Sequence, residues 1–222
     1  KPQDFWQVSV FVKEFYELIN HLGIADNFAL TGHSWGGLLA AEVAITQPQG
    51  LKALILSSPL GDSDTWVKGV KGLLDAMPRE ISSVIIKHEE EGTTDNPDYM
   101  EAALKFYDKH VHRIPLPPDA AAMFEEAFAD QNVYNAMWGP SELKCNGTLA
   151  GHVVTDRIGA INVPTLIMSG KYDECMPSTA QAYLKGIKGS HWELFEESSH
   201  LSYIEEAAKY QRVMNDFLDS HC

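Results

Sequence analysis

Apolar residues at positions 5, 8, 11, 12, 15, 18, 19 and 22 recur at helical spacing, so Phe5–His21 is predicted as an amphipathic helix closed by Gly23. Asn27–Leu30 is a short apolar run that leads into Thr31-Gly32-His33-Ser34-Trp35-Gly36-Gly37, and Leu38–Thr46 returns to a helical pattern. Leu51–Ser57 (LKALILS) reads as a buried strand. From about Asp62 to Leu143 no convincing strand occurs. That stretch is rich in Ala, Glu, Met and aromatics, is broken at Gly92–Pro97 and Ile114–Pro118, and predicts several short helices. Alternation then resumes with a strand at Pro164–Ser169, a helix at Pro177–Lys185, a strand at His191–Phe195 and a helix at Tyr203–Leu218. Helices alternating with apolar strands predict a mostly parallel sheet flanked by helices. The chain divides accordingly into core at 1–61, a helical insertion at 62–143, and core again at 144–222.

Gly32-His33-Ser34-Trp35-Gly36 fits the G-x-S-x-G nucleophile elbow, with an apolar strand before it and an Ala/Leu helix after it. Such a serine sits on a sharp, strained strand-to-helix turn. The flanking glycines are expected because a Cβ there would collide with the neighbouring strand or helix. The bland alternative is a glycine-rich turn whose serine caps the helix.

The elbow's partners follow in the order acid, then base. Gly170-Lys171-Tyr172-Asp173 directly follows the strand at 164–169, which places Asp173 as the acid. Glu196-Glu197-Ser198-Ser199-His200 follows the strand at 191–195, which places His200 as the base. His33 lies on the turn and is read as packing there, while His191 begins a strand. His110-Val111-His112 lies in the helical insertion without acids at metal-ligand spacing. A serine hydroxyl attacks only when a base of near-neutral pKa removes its proton, and an aspartate holds that base in the right tautomer. The Trp35 N–H, next after the nucleophile, is placed to donate to an oxyanion. Neither a metal nor another cofactor is called for.

Charge narrows the partners. Seventeen Lys+Arg against 31 Asp+Glu give a net charge of −14, a field that repels nucleic acid and anionic membrane surfaces. The apolar stretches are too short to span a bilayer. Three widely spaced cysteines form no disulfide framework or zinc pattern, and with no basic-then-apolar leader the expected compartment is the cytoplasm.

Four stretches together resemble the proline iminopeptidases, serine aminopeptidases of the α/β-hydrolase fold: Gly32–Gly37, Met137-Trp138-Gly139-Pro140-Ser141-Glu142, Gly170–Glu174 and Phe195–His200. The resemblance runs along essentially the whole chain. It implies that the insertion caps the active site and that Glu142 and Glu174 hold the free α-ammonium of the substrate, with Tyr134 as a further pocket residue. On the residues alone, these glutamates can equally be solvated surface acids. The family's His-Gly-Gly-Pro-Gly loop, which supplies a second oxyanion N–H, has no counterpart here. About 70 residues of a doubly wound sheet, its N-terminal strands, are therefore expected before Lys1. Ser141 and Leu143 stand where the family has Asn and Phe, which bears on the side chain preferred at the cleaved residue.

The expected activity is release of N-terminal proline or another small apolar residue from a small peptide or amino-acid amide with a free N-terminus. Two alternatives stay open: an amidase or small-ester esterase using the same triad, and a non-catalytic module. Epoxide and haloalkane hydrolysis are disfavoured, since those relatives carry Asp where Ser34 stands.

Overall fold

The structure is a computed structural model that describes the backbone of residues 1–222 and all side chains except those of residues 127 and 128. A short 3-10 turn, Gln3–Phe5, precedes α1 (Val8–His21). The expected helix from Phe5 thus starts three residues late, because Trp6 and Gln7 are extended. Gly23 takes a left-handed φ of 69° just past its end, the conformation a closing glycine supplies.

Next come β1 (Phe28–His33), α2 (Trp35–Ile45) and β2 (Leu51–Ser57), and then the helical stretch. That stretch contains α3 (Ser63–Asp75), α4 (Arg79–Glu91), α5 (Pro97–His110), α6 (Pro118–Ala129) and α7 (Asn132–Met137). Gly92, left-handed at φ 67°, stops α4, and Pro97 and Pro118 open α5 and α6 as first-turn prolines do. The chain ends with β3 (Thr165–Gly170), α8 (Pro177–Gly186), β4 (His191–Phe195), α9 (Ser202–Glu205) and α10 (Ala207–His221).

The strands form one four-stranded sheet in the order β1-β2-β3-β4, each pair parallel. Parallel pairing needs a crossover after each strand, and the helices provide it. Because side chains alternate across a strand, β2 feeds both layers. Leu54 and Leu56 join the large core cluster with Leu38 of α2, whereas Ala53 and Ile55 pack with Phe195 and Phe217 beside α10. The helical stretch is not a separate ball. Trp66, Tyr99, Phe106 and Trp138 belong to the same cluster as the α2 side of the sheet, and the Trp66 and Trp138 rings meet edge to face at 4.8 Å.

One expected element is divided. The helix read at 203–218 breaks at Glu206 (φ −124°, ψ 46°) into α9 and α10. The reason lies in what Glu205 and Glu206 hold.

Candidate active site

Ser34 occupies the turn between β1 and α2 with φ 54° and ψ −121°, a region costly for any residue with a Cβ. Backbone bonds over-determine it. Its N–H donates to the Ser57 carbonyl at 3.0 Å, and its own carbonyl accepts from the N–H groups of Gly37 and Leu60 at 2.9 Å each. A Cβ on Gly32 would stand 2.0 Å from the Gly36 carbonyl oxygen, and one on Gly37 would stand 2.8 Å from Pro59. The expectation of a crowded turn holds for Gly32 but not for Gly36, where a Cβ meets nothing within 4 Å. Trp35 is the first residue of α2, so its N–H has no intrahelical acceptor and is left for another group.

The residues expected as acid and base are brought together. Asp173 and His200 are buried, and His200 Nδ1–H donates to Asp173 Oδ1 at 2.8 Å. Oδ1 also accepts the Cys175 N–H at 2.8 Å. Burial alone would raise the Asp173 carboxyl, but His200 and these donors outweigh it and hold it below its usual range. Burial alone would lower His200, yet the Asp173 charge and hydrogen bond carry it well above 6.5. With Nδ1 engaged, Nε2 is the nitrogen left to take a proton. Among the described residues Ser34 Oγ forms no hydrogen bond to His200. The ring of His33, the residue before Ser34, lies 4.6 Å from that of His200 and 5.1 Å from that of Tyr203. Burial, and then the charge of His200, lower His33 to about 3, so it stays neutral.

The base-bearing loop is built by two residues that pattern reading passes over as helix surface. Glu205 accepts the Ser199 N–H at 2.7 Å and the Ser199 hydroxyl at 2.8 Å, and also the Arg113 N–H at 2.7 Å. Glu206 accepts the Glu197 N–H at 3.2 Å and the Ser198 hydroxyl at 2.6 Å. Two adjacent glutamates cannot both reach one loop from a regular helix, and the backbone break at Glu206 lets them. The only sequence signal was an acidic pair within six residues of a serine-rich loop. His110, unassigned by pattern, anchors the acid's loop. Its Nδ1 bonds the Tyr172 carbonyl at 2.8 Å, and its carbonyl accepts the Glu174 N–H at 3.1 Å.

Glu142, Glu174 and Tyr134 converge beside this pair. The Tyr134 hydroxyl donates to Glu142 Oε2 in a short hydrogen bond, and Glu174 Oε1 lies 4.0 Å from His200 Nε2. Burial and then the Glu142 charge push Glu174 well above its ordinary value, and burial raises Glu142 as well. Glu174 Oε2 is buried without a hydrogen-bond partner. Asp173, Cys175 and His200 offer ligand atoms within 4.8 Å of one another. Asp173 and His200 spend their facing atoms on each other, and burial lifts the Cys175 thiol to about 11, away from the thiolate a metal would need. The grouping fits an acid–base pair with a thiol neighbour. A hollow of about 380 Å³ lined by Gln3, Asp4, Asn146, Gly147 and Thr148 lies apart from all these residues.

A profile described as the alpha/beta hydrolase fold matches residues 2–207. A proline iminopeptidase of Heyndrickxia coagulans is 34% identical over 223 residues, an alignment covering 99% of this chain and 77% of that protein. The chain belongs to the proline iminopeptidase family. The crystal structure of a Mycobacterium smegmatis proline iminopeptidase superposes with a TM-score of 0.91 at 34% identity, covering 99% of this chain and 74% of that one. The crystal structure of VinJ superposes with a TM-score of 0.96 at 38% identity, over 100% of this chain and 75% of that one. Membership in the proline iminopeptidase family makes the chain a hydrolase of the serine peptidase type, as the elbow and the acid–base order implied. Among the described residues no helix is long and apolar enough to cross a membrane.

Proposed function

We propose that this chain acts as a cytoplasmic serine aminopeptidase that releases N-terminal proline, or another small apolar residue, from small peptides or amino-acid amides. Ser34 attacks the carbonyl of the first residue. His200 takes the serine proton at Nε2 and returns it to the departing amine, leaving the first residue as an acyl-enzyme. His200 then draws a proton from a water that attacks this ester and returns it to Ser34 Oγ as the amino acid leaves, while Asp173 stabilises the imidazolium. The Trp35 N–H donates to the oxyanion. Helices at 62–143 serve as the cap between the two core segments. The proline iminopeptidase relatives support the choice of substrate.

One observation carries the reading. Burial raises the proton affinity of both Glu142 and Glu174, and the Glu142 charge raises that of Glu174 further. Glu174 Oε1 lies 4.0 Å from His200 Nε2, and the other Glu174 oxygen is buried without a partner. Buried like charges of this kind are costly until a cation neutralises them. The α-ammonium of an amino-terminal residue, held a few bonds from the carbonyl under attack, is such a cation. Tyr134 on Glu142 fixes one wall of that site.

The test is made on the purified protein. Hydrolysis of proline and alanine anilides is compared with that of their N-acetyl derivatives and of butyrate esters, and Ser34 is titrated with a fluorophosphonate. Preference for free-amine anilides together with stoichiometric labelling of Ser34 supports the proposal. Equal rates on acetylated and free substrates, or ester preference, indicate an esterase or amidase. Absence of labelling indicates a non-catalytic module.

A further inference from the structure

The turn after β2 brings a second serine to the acid–base pair. Ser58 is fully buried and has a left-handed backbone at φ 42°, a conformation sparsely populated by residues with a Cβ. Strain of this kind persists where surrounding bonds fix it, and it clusters at functional sites. Here the Ser58 N–H donates to the Met168 carbonyl of β3 at 2.7 Å, and the Ser58 hydroxyl donates to the His200 carbonyl at 3.2 Å. The same hydroxyl helps hold the Asp173 carboxyl below its usual range, although it makes no hydrogen bond to either carboxyl oxygen. Asp173 Oδ1 already serves His200 and Cys175, while Oδ2 is buried with no hydrogen-bond partner of its own.

We propose that Ser58 is a positioning residue whose hydroxyl serves both the His200 carbonyl and the free oxygen of Asp173, fixing the base relative to the acid. A hydroxyl has one proton and a soft rotor, so it can turn between two acceptors without moving the backbone. The left-handed turn is what carries Cβ and Oγ inward, between the loop after β3 and the loop after β4. Those loops come from different strands, and Ser58 bonds the β3 backbone at Met168 and the His200 loop from a third. A buried carboxylate oxygen left unpaired is costly, and it becomes more so when positive charge grows on His200 and the carboxylate must be held in line. Residues bearing only a methyl or a hydrogen at this position leave both acceptors unserved.

The inference rests on reading Ser34, Asp173 and His200 as the triad, and the experiment keeps the two apart. Ser58→Gly accepts φ 42° without strain and lacks the hydroxyl, whereas Ser58→Ala keeps a Cβ and also lacks it. Both are made in the same protein, beside Ser34→Ala and His200→Ala. Turnover of proline anilide and the downfield NMR resonance of the His200 Nδ1 proton are measured for each folded variant. Both Ser58 variants are expected to lose about 10- to 100-fold in kcat, the range for a hydrogen bond to a charged group, with KM within about twofold. The Nδ1 proton resonance is expected to shift in Ser58→Gly. A Ser58→Gly enzyme with wild-type kcat and an unmoved resonance overturns the proposal, and so does a loss confined to KM. Retained turnover in Ser34→Ala or His200→Ala would instead overturn the triad reading beneath it.

Discussion

Gly170 at the end of β3 backs directly onto Ser199: a Cβ built on the glycine would stand 2.0 Å from the Ser199 carbonyl oxygen and 2.5 Å from that of Ser198. The backbone that leads to Asp173 therefore lies in contact with the backbone that leads to His200. This approach, reinforced by the Tyr172 N–H donating to the Ser198 carbonyl at 3.1 Å, sets the 2.8 Å bond between acid and base.

Gly170→Ala is expected to separate the two loops, because neither obstructing atom is a flexible side chain that can swing aside. A misplacement of about 1 Å at a catalytic group costs about 10²-fold in rate. We expect kcat to fall by about that factor, and fluorophosphonate labelling of Ser34 to slow in parallel. Wild-type kcat in Gly170→Ala would show that the base-bearing loop moves freely.

Glu205→Ala should act on the same loop from its other side. It removes the acceptor for the Ser199 N–H, the Ser199 hydroxyl and the Arg113 N–H at once. Leaving such donors unpaired is expected to cost about 2–3 kcal/mol of stability. Urea denaturation measures it, and Glu205→Gln, which keeps an acceptor oxygen, should recover part of the loss. Equal stability of Glu205→Ala and the parent would remove this residue from the framework of the loop.

Much of this was legible in the pattern of residues. Leu51–Ser57 and His191–Phe195 are strands over the expected residues, because short, largely apolar segments bounded by turn residues have few other uses in a chain that alternates with helices. The order Ser34, Asp173, His200 follows from the elbow and from the loops after two strands. What periodicity could not carry was the backbone break at Glu206. The apolar spacing of residues 203–218 is helical throughout, and only the long-range bonds of Glu205 and Glu206 to residues 197–199 impose the break. Ser58 was equally hidden, since a positive φ on a serine leaves no mark in composition. The expectation for Gly36 failed for a related reason: a turn glycine does not reveal which neighbours crowd it.

His33 gives the protein an acid-sensitive element outside the proposed triad. Its imidazole is held to about 3 by burial and by the charge of His200, and its Nδ1 is buried without a hydrogen-bond partner. In the unfolded chain it titrates near 6.5, so between these values the unfolded state binds the extra proton. Stability from this residue is complete above about pH 6.5 and is lost as pH falls toward 3, at up to about 1.4 kcal/mol per unit. His200 titrates in the opposite sense: its raised pKa stabilises the fold below 6.5 and ceases to do so as pH rises through the folded value. Comparing the parent with His33→Asn removes that contribution. From pH 7.5 to 5.0 the parent should lose about 1–2 kcal/mol more than His33→Asn in urea denaturation. Parallel losses would mean that His33 is hydrated and titrates normally.

The substrate class is decided by Glu142 and Glu174. If they hold the α-ammonium, Glu142→Gln or Glu174→Gln removes one partner of a buried charge pair, which commonly costs about 2–5 kcal/mol, or about 30- to several-thousand-fold in kcat/KM. The loss should be large for proline anilide and small for an uncharged ester of similar size, because Ser34, Asp173 and His200 are unchanged. Glu174→Gln carries a second expectation. Its carboxylate lies 4.0 Å from His200 Nε2, so its removal should move the acidic limb of kcat/KM to lower pH, but only partway, since the Asp173 charge and hydrogen bond that hold His200 raised remain. Glu142 also raises the proton affinity of Glu174, so Glu142→Gln should let Glu174 ionise at lower pH and extend amine binding in that direction. The pair is therefore read from two pH profiles and two substrates. Equal losses on charged and uncharged substrates would place the damage at Asp173 or in the pocket wall. No loss on either would leave the two glutamates without a role in binding and favour an amidase or esterase.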